Sequence, residues 1–325
     1  MTDSRTRPAR PARSGTAGAP TGAERPAAAP HRAARRGRGG RRHQADELFP
    51  RPAGIAVRVL ATLFVAVPVV YMVILSVSPE VDVSAGHLIP HVLDLSNYAS
   101  IWADSDLLRG FVNSIVICGI AAAVAVVVAT AGAYPLARYR FRGSGPMLYG
   151  ALGLQLIPGP MLLLPLFVVF SILQVTVGLT VIGSYWGIMI AYVTFSLPLA
   201  VWLMLGYIRT IPRELEEAAW VDGASRARAV RLIVAPLAVP GMVVAFVFSL
   251  LVGWNDVLFA SVLTTPSTRT VAVDLQVFTL TMEGQSLPQY AQLMAAGVVA
   301  SVPVVVAYLL LQKYLVGGRA AGALK

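Results

Sequence analysis

Apolar residues along this chain gather into six long runs separated by polar stretches. The runs lie near residues 55–77, 112–136, 147–171, 183–206, 238–262 and 291–312. Each is about 22–26 residues, enough for an α-helix rising 1.5 Å per residue to cross a hydrocarbon layer of about 30 Å with some tilt. The pattern therefore predicts an all-α transmembrane fold, a six-helix bundle. Arg58 falls near one end of the first run, where its side chain can snorkel to the interface. Pro68, Pro135, Pro158, Pro160, Pro165, Pro198, Pro240 and Pro303 fall within the runs. Each removes a backbone donor and favours a kink. The carbonyls so freed need a neighbouring side chain or water in a cavity, so the prolines suit either an internal path or kinks that only shape packing.

The polar segments divide the chain in two. Residues 1–52 are rich in Arg, Ala, Pro and Gly without apolar periodicity and are expected to be a disordered basic cytoplasmic tail. Residues 53–325 are expected to form the transmembrane domain. The tail is too long and too basic for an ordinary secretory signal peptide. Its cluster Arg35, Arg36, Arg38, Arg41 and Arg42 suits either contact with anionic headgroups or a solvated topogenic role. With the tail inside, six spans also place 137–146, 207–237 and the C-terminus inside. These regions, with Arg58, carry all but Arg109 and Arg269 of the 26 basic residues. That asymmetry is the positive-inside bias, so both termini are expected in the cytoplasm of a multi-pass cell-membrane protein. The outer segment 78–111 is acidic and predicts a solvent-exposed loop with a short helix near Leu95–Trp102.

Composition changes the picture little and excludes much. The 325 residues are 56% hydrophobic and 13% charged, where a soluble domain carries about 25% charged residues. The net charge of +10 hints at nucleic acid, but twelve arginines against four acids in residues 1–51 supply most of it. The body is nearly balanced, and no nucleic-acid partner is expected. Cys118 stands alone, so no internal disulfide and no cysteine-built zinc site can form. A phosphate-binding G-x-x-x-x-G-K-[ST] loop is absent, because neither Lys313 nor Lys325 has glycine before it. His31, His43, His87 and His91 occur in no H-E-x-x-H, and no metal set, cofactor or catalytic spacing is read. The chain is expected not to be an enzyme.

The most informative stretch is 207–237, YIRTIPRELEEAAWVDGASRARAVRLIVAPL. Thr210-Ile211-Pro212 predicts a helix start, since threonine can cap and proline is tolerated in the first turn. Glu214, Glu216 and Glu217 come first and Arg226, Arg228 and Arg231 last, matching the helix dipole at both ends. Ala218 and Ala219 offer a small flat face. Gly223 permits a tight bend, and Pro236 closes the segment before the fifth span. One or two short amphipathic helices follow, suited to docking a cytoplasmic partner or to lying on lipid.

This stretch resembles the EAA loop of ATP-binding-cassette (ABC) importer permeases, which runs E-A-A, three residues, G, nine residues, I-x-L-P. Glu217, Ala218, Ala219, Gly223, Ile233 and Pro236 fall in place, while Ala235 stands where leucine is usual. The flanking Ile211–Ala224, with Asp222, is similar to the carbohydrate branch. Further matches are Val112-Asn113-Ser114, Ala133–Gly143, Gly253-Trp254-Asn255-Asp256, Gln312–Val316 and Ala321–Lys325. Together they cover roughly 55–325 and resemble the second permease of maltose-type systems. The resemblance implies a type I importer bundle forming half of a sugar path. It also implies a second permease subunit, a cytoplasmic ATPase dimer and a solute-binding protein outside. Under it Glu217 pairs with a basic group of the ATPase, Gly223 is a hinge, and the C-terminal segment reaches toward the ATPase.

Candidates for the substrate path are the polar and aromatic residues within spans: Gln155, Tyr185, Trp186, Tyr192, Trp254, Asn255 and Asp256. Aromatic faces and amides suit sugars, and an intramembrane carboxylate points to function. The same residues equally suit packing and interface anchoring. A secondary active transporter is the alternative. It calls for related halves and ionisable groups at mid-membrane, and neither is evident. A membrane enzyme lacks catalytic spacing, and a DNA-binding helix-turn-helix reading of 214–233 conflicts with its place between spans.

Overall fold

A computed structural model describes residues 51–103, 106–139, 141–282 and 289–321. Expectations for residues 1–50 and for the last residues of the C-terminal motif therefore lie outside the described residues. In chain order the helices are α1 (Arg51–Ser76), α2 (Glu80–Ser84), α3 (Ser96–Ala103), α4 (Leu107–Arg138), α5 (Ser144–Leu154), α6 (Gly159–Val177) and α7 (Tyr185–Ile208). They continue with α8 (Glu214–Val221), α9 (Arg226–Ala229), a π segment (Val230–Val234), α10 (Ala235–Trp254), α11 (Leu258–Leu263), α12 (Val271–Met282) and α13 (Tyr290–Ala321). Among the described residues, six helices are long and apolar enough to cross a membrane. One compact unit runs from Ala61 to the C-terminus, and residues up to Leu60 fall outside it.

The heart of that unit is α4 packed on α7 and α10. Ala121, Ala125, Ala129 and Ala133 are buried at four-residue spacing along α4. Small residues at that interval let helix backbones approach closely, which is how helices associate where apolar burial alone gives no preference over lipid. Ala200 and Met204 of α7 and Ala238 and Ala245 of α10 meet this face in one cluster. Ile117, Cys118, Ile188 and Tyr192 form a second, with α6 and α11. By contrast α6 and the part of α1 from Ala61 onward leave most of their apolar side chains exposed. Phe64 is 82% exposed, as suits surface that meets lipid or another subunit.

Three features differ from expectation. The third run, expected as one helix over 147–171, breaks at 155–158 into α5 and α6, and the spanning piece is Gly159–Val177. Pro158 sits at the N-cap and Pro160 in the first turn of α6, where a missing N–H costs nothing. Pro236 does not close a segment, because one helix runs from Arg226 through it to Trp254. The π segment makes this possible. Ala235 N–H reaches back five residues to Val230 O, and this local widening absorbs the proline next to it. Finally, the short apolar helix α12 was not anticipated, being too short to register as a span.

Buried side-chain amides tie the loops to the bundle. Asn97 of α3 donates to Ser76 O (3.2 Å) and Ser78 O (2.9 Å) at the end of α1. Asn113 of α4 donates to Ser267 O (3.1 Å) and Arg269 O (2.9 Å) and accepts from the Tyr185 hydroxyl (2.8 Å). Ser114 Oγ accepts from Val271 N–H (2.7 Å). The Asn113-Ser114 pair thus satisfies the backbone that leads into α12, at a depth where unpaired carbonyls are costly.

Candidate functional site

The segment after α7 turns through Thr210–Arg213 into α8. Thr210 does not cap α8. Its hydroxyl donates back to Tyr207 O (2.7 Å), and the N-cap position is Arg213, without a side-chain cap. Anchorage comes from below instead. Glu216 is 2% exposed, and its Oε1 forms an ion pair with Arg138 Nε at 2.6 Å. The Tyr134 hydroxyl donates to its other oxygen at 2.7 Å. Arg138 also donates to Ile211 O (3.0 Å), and Arg213 donates to Arg138 O (2.6 Å). Both Tyr134 and Arg138 lie in the last turns of α4, so α8 is clamped on the end of a spanning helix. A buried pair with each partner further hydrogen-bonded is strongly specified in geometry, whatever its net contribution.

The opposite face of α8 is open. Glu214, Leu215, Glu217, Ala218, Val221 and Asp222 are exposed, Val221 to 87%. The helix ends in a Schellman motif. Ala224 N–H reaches Ala219 O (2.8 Å) and Gly223 N–H reaches Trp220 O (3.0 Å). Gly223 holds φ +85°, a left-handed conformation that a Cβ disfavours. Beyond the bend Ser225 Oγ accepts from Arg228 N–H and starts α9. The Arg226 guanidinium lies 5.7 Å from the Trp220 ring centre and 5.8 Å from that of Tyr139, a cation–π contact that ties the bend back to α4.

The structure thus brings together Glu217, Ala218, Asp222 and Gly223 on one exposed knob, with Ala219 half-buried against the bundle. Ile233 is half-buried in the π segment, and Pro236 is exposed in the next turn. In the sequence Glu216 reads only as one of three acids at a helix start, and Tyr134 and Arg138 carry no local signal. Glu216 and Tyr134 stand 82 positions apart, a pairing that local spacing cannot reveal.

A second feature is a cleft of ≈ 440 Å³ bounded by α6, α7, α10 and the start of α11. Gln155, Tyr192, Phe195, Asp256 and Phe259 line it. Asp256 accepts from Tyr192 OH (3.0 Å), Ala260 N–H (2.9 Å) and Phe259 N–H (3.2 Å), so its carboxylate also caps α11. The remaining candidates lie elsewhere. Trp254 is buried and donates to Ala300 O (3.2 Å). Asn255 is exposed and donates to Leu251 O (3.0 Å). Tyr185 serves Asn113, and Trp186 is partly exposed at the start of α7.

Comparison with known proteins decides the family. Residues 151–319 match the binding-protein-dependent transport system inner membrane component. The chain belongs to that family. The trehalose transport system permease protein SugB of Mycobacterium tuberculosis is 33% identical over 82% of this chain and 96% of its own length. The trehalose/maltose transport system permease protein MalG of Thermococcus litoralis is 30% identical over 86% and 99%. The fold matches a bacterial ABC transporter involved in import of the acidic polysaccharide alginate, with TM-score 0.68, 22% identity and coverage of 83% and 98%. The chain is therefore a multi-pass membrane permease subunit of an ABC importer, a transport component rather than a member of an enzyme class. Such a permease works with an ATPase and a second permease.

Proposed function

We propose that this permease is the second membrane subunit of an ATP-driven sugar importer, with the segment 207–237 as the handle gripped by the ATPase dimer. The observation that carries the reading is the arrangement of α8. Its buried Glu216 fixes it to α4, while Leu215, Ala218 and Val221 present apolar surface among Glu214, Glu217 and Asp222. A rigid knob so built passes a push from a soluble partner directly into a spanning helix. Glu217 is the residue proposed to meet a basic group of the ATPase, and Gly223 sets the angle at which the knob stands. This assignment puts both termini on the cytoplasmic side.

Relatives named for trehalose and maltose transport support a sugar cargo. The aromatic lining of the cleft, with the Gln155 amide and Asp256 carboxylate, suits stacking on sugar rings and hydrogen bonding to hydroxyls. A solute-binding protein delivers the sugar from outside, and ATP drives transport only by binding one conformation better than the other. The test is reconstitution with the ATPase, the companion permease and the binding protein in proteoliposomes. ATP-dependent uptake of a labelled disaccharide is expected, and an Ala218→Cys chain should crosslink to the ATPase. Uptake driven by an ion gradient without ATPase would overturn the proposal.

A further inference from the structure

Where α2 runs into the loop before α3, three side chains converge. Asp82 Oδ1 lies 2.9 Å from His91 Nδ1 and 3.5 Å from His87 Nδ1. The two imidazole nitrogens are 3.3 Å apart. We propose that Asp82, His87 and His91 form a binding site for a divalent transition cation of the Zn²⁺ class. The histidines attracted no metal reading as sequence, because their ligand set is completed only by the fold.

The distances carry the inference. Zinc binds imidazole nitrogen and carboxylate oxygen at about 2.0–2.2 Å. Two ligand atoms on a tetrahedron with such bonds stand about 3.3–3.5 Å apart. Two of the three separations, 3.3 and 3.5 Å, fall on that edge, and the third, at 2.9 Å, needs to open by about 0.4 Å for the atoms to form one face of a tetrahedron. Asp82 Oδ1 and His91 Nδ1 are within hydrogen-bond distance, and a cation would take the place of the proton they share, with each imidazole turning a lone pair inward in the tautomer protonated at Nε2. Three ligand atoms of these types, each within 3.5 Å of the other two, are an arrangement a cation can bridge.

The ligands are also held in place. The second carboxylate oxygen of Asp82 accepts the backbone N–H of His91 at 2.9 Å. His87 N–H reaches Asp82 O at 3.0 Å, and the two imidazoles meet edge to face at 4.7 Å. Two nitrogens and one carboxylate select borderline metals over Ca²⁺ or Mg²⁺, which take oxygen ligands. Both histidines are exposed, so the fourth position is open to water. The site has a mechanical neighbour as well. Glu80, two residues before Asp82, accepts from Tyr290 N–H and Ala291 N–H at 2.9 Å each. A cation on Asp82 therefore braces the loop that holds the first turn of α13.

The test uses the full chain in nanodiscs, purified without a histidine tag, stripped with chelator and titrated with Zn²⁺ alone. One equivalent per chain is expected. His87→Ala or His91→Ala should weaken binding at least about tenfold, and a His31→Ala/His43→Ala chain should bind as the wild type does. Co²⁺ should give the visible absorption of a four-coordinate site in the wild type. Zn²⁺ should slow hydrogen exchange in 79–95 and at the start of α13. A wild-type chain without saturable Zn²⁺ binding or Co²⁺ bands overturns the proposal, even where a variant fails to fold. Wild-type affinity in the His87→Ala/His91→Ala chain does so too.

Discussion

Arg138 closes α4 by reaching Glu216 of α8 at 2.6 Å, and neither side chain is more than 7% exposed. The α8 knob is thus tied directly to the central spanning helix. Tyr134, one turn earlier on α4, donates a hydrogen bond to the other carboxylate oxygen. Any force on α8 arrives at the α4 face that packs on α7 and α10.

Breaking that pair one side at a time should be costly. Glu216→Leu leaves a buried guanidinium unpaired and Arg138→Met a buried carboxylate, and each is expected to destabilise by about 3–5 kcal/mol. The Arg138→Met/Glu216→Leu chain should regain most of that loss, since apolar replacement of both partners is often neutral. Thermal unfolding of the four chains in detergent gives the cycle. If the single variants melt like the parent, the clamp contributes nothing.

Gly223 should tolerate no β-branched residue. Gly223→Val places a Cβ in a left-handed conformation and is expected to cost about 1–3 kcal/mol locally. Because the bend is exposed, insertion and expression should survive while coupling fails. Stimulation of the ATPase by the loaded binding protein should fall at least tenfold, and near-normal stimulation would show that the bend angle is irrelevant.

Gly110 faces Asp274, and a Cβ built there overlaps the carboxylate. Gly110→Ala is expected to destabilise by about 1–3 kcal/mol through overpacking. Asp274→Ala in the same chain should restore most of the melting temperature by vacating that space. Failure of the second change to rescue the first would place the strain elsewhere.

Asp274 lies outside the six spans, and burial pushes its carboxyl up to about 6, against the pull of Arg269 and Arg109. A folded-state value above the unfolded 3.8 means the folded chain binds the extra proton. Its contribution to stability therefore declines as pH rises from the unfolded value through 6 and stays low above. Asp274→Asn should raise the melting temperature at pH 8 more than at pH 5. An equal shift at both values would contradict the burial argument.

Much of this was legible in the residue pattern. Hydropathy located the six crossings because each must bury about 20 consecutive apolar residues in lipid. The bend at Gly223 was readable because glycine at that place has a local cause. The break at 155–158 was misread, since Pro158 and Pro160 look like kinks in a continuous run until the chain shows a new helix starting there. The clefts and clamps were less accessible. Tyr192 and Asp256 both stood out as polar residues in apolar runs, but their contact joins α7 to the turn after α10.

By itself, then, the sequence determined the number of crossings, the polar segment between the fourth and fifth, and the family to which they belong. These depend on composition and spacing within one segment, which local transfer energies and backbone geometry control. Only the tertiary structure decided which glutamate of α8 is buried and which is presented, where Asn113 spends its hydrogen bonds, and that Asp82 meets two histidines. Those outcomes depend on distances between segments, set by how small residues let α4, α7 and α10 close together and by where the loops then have to run.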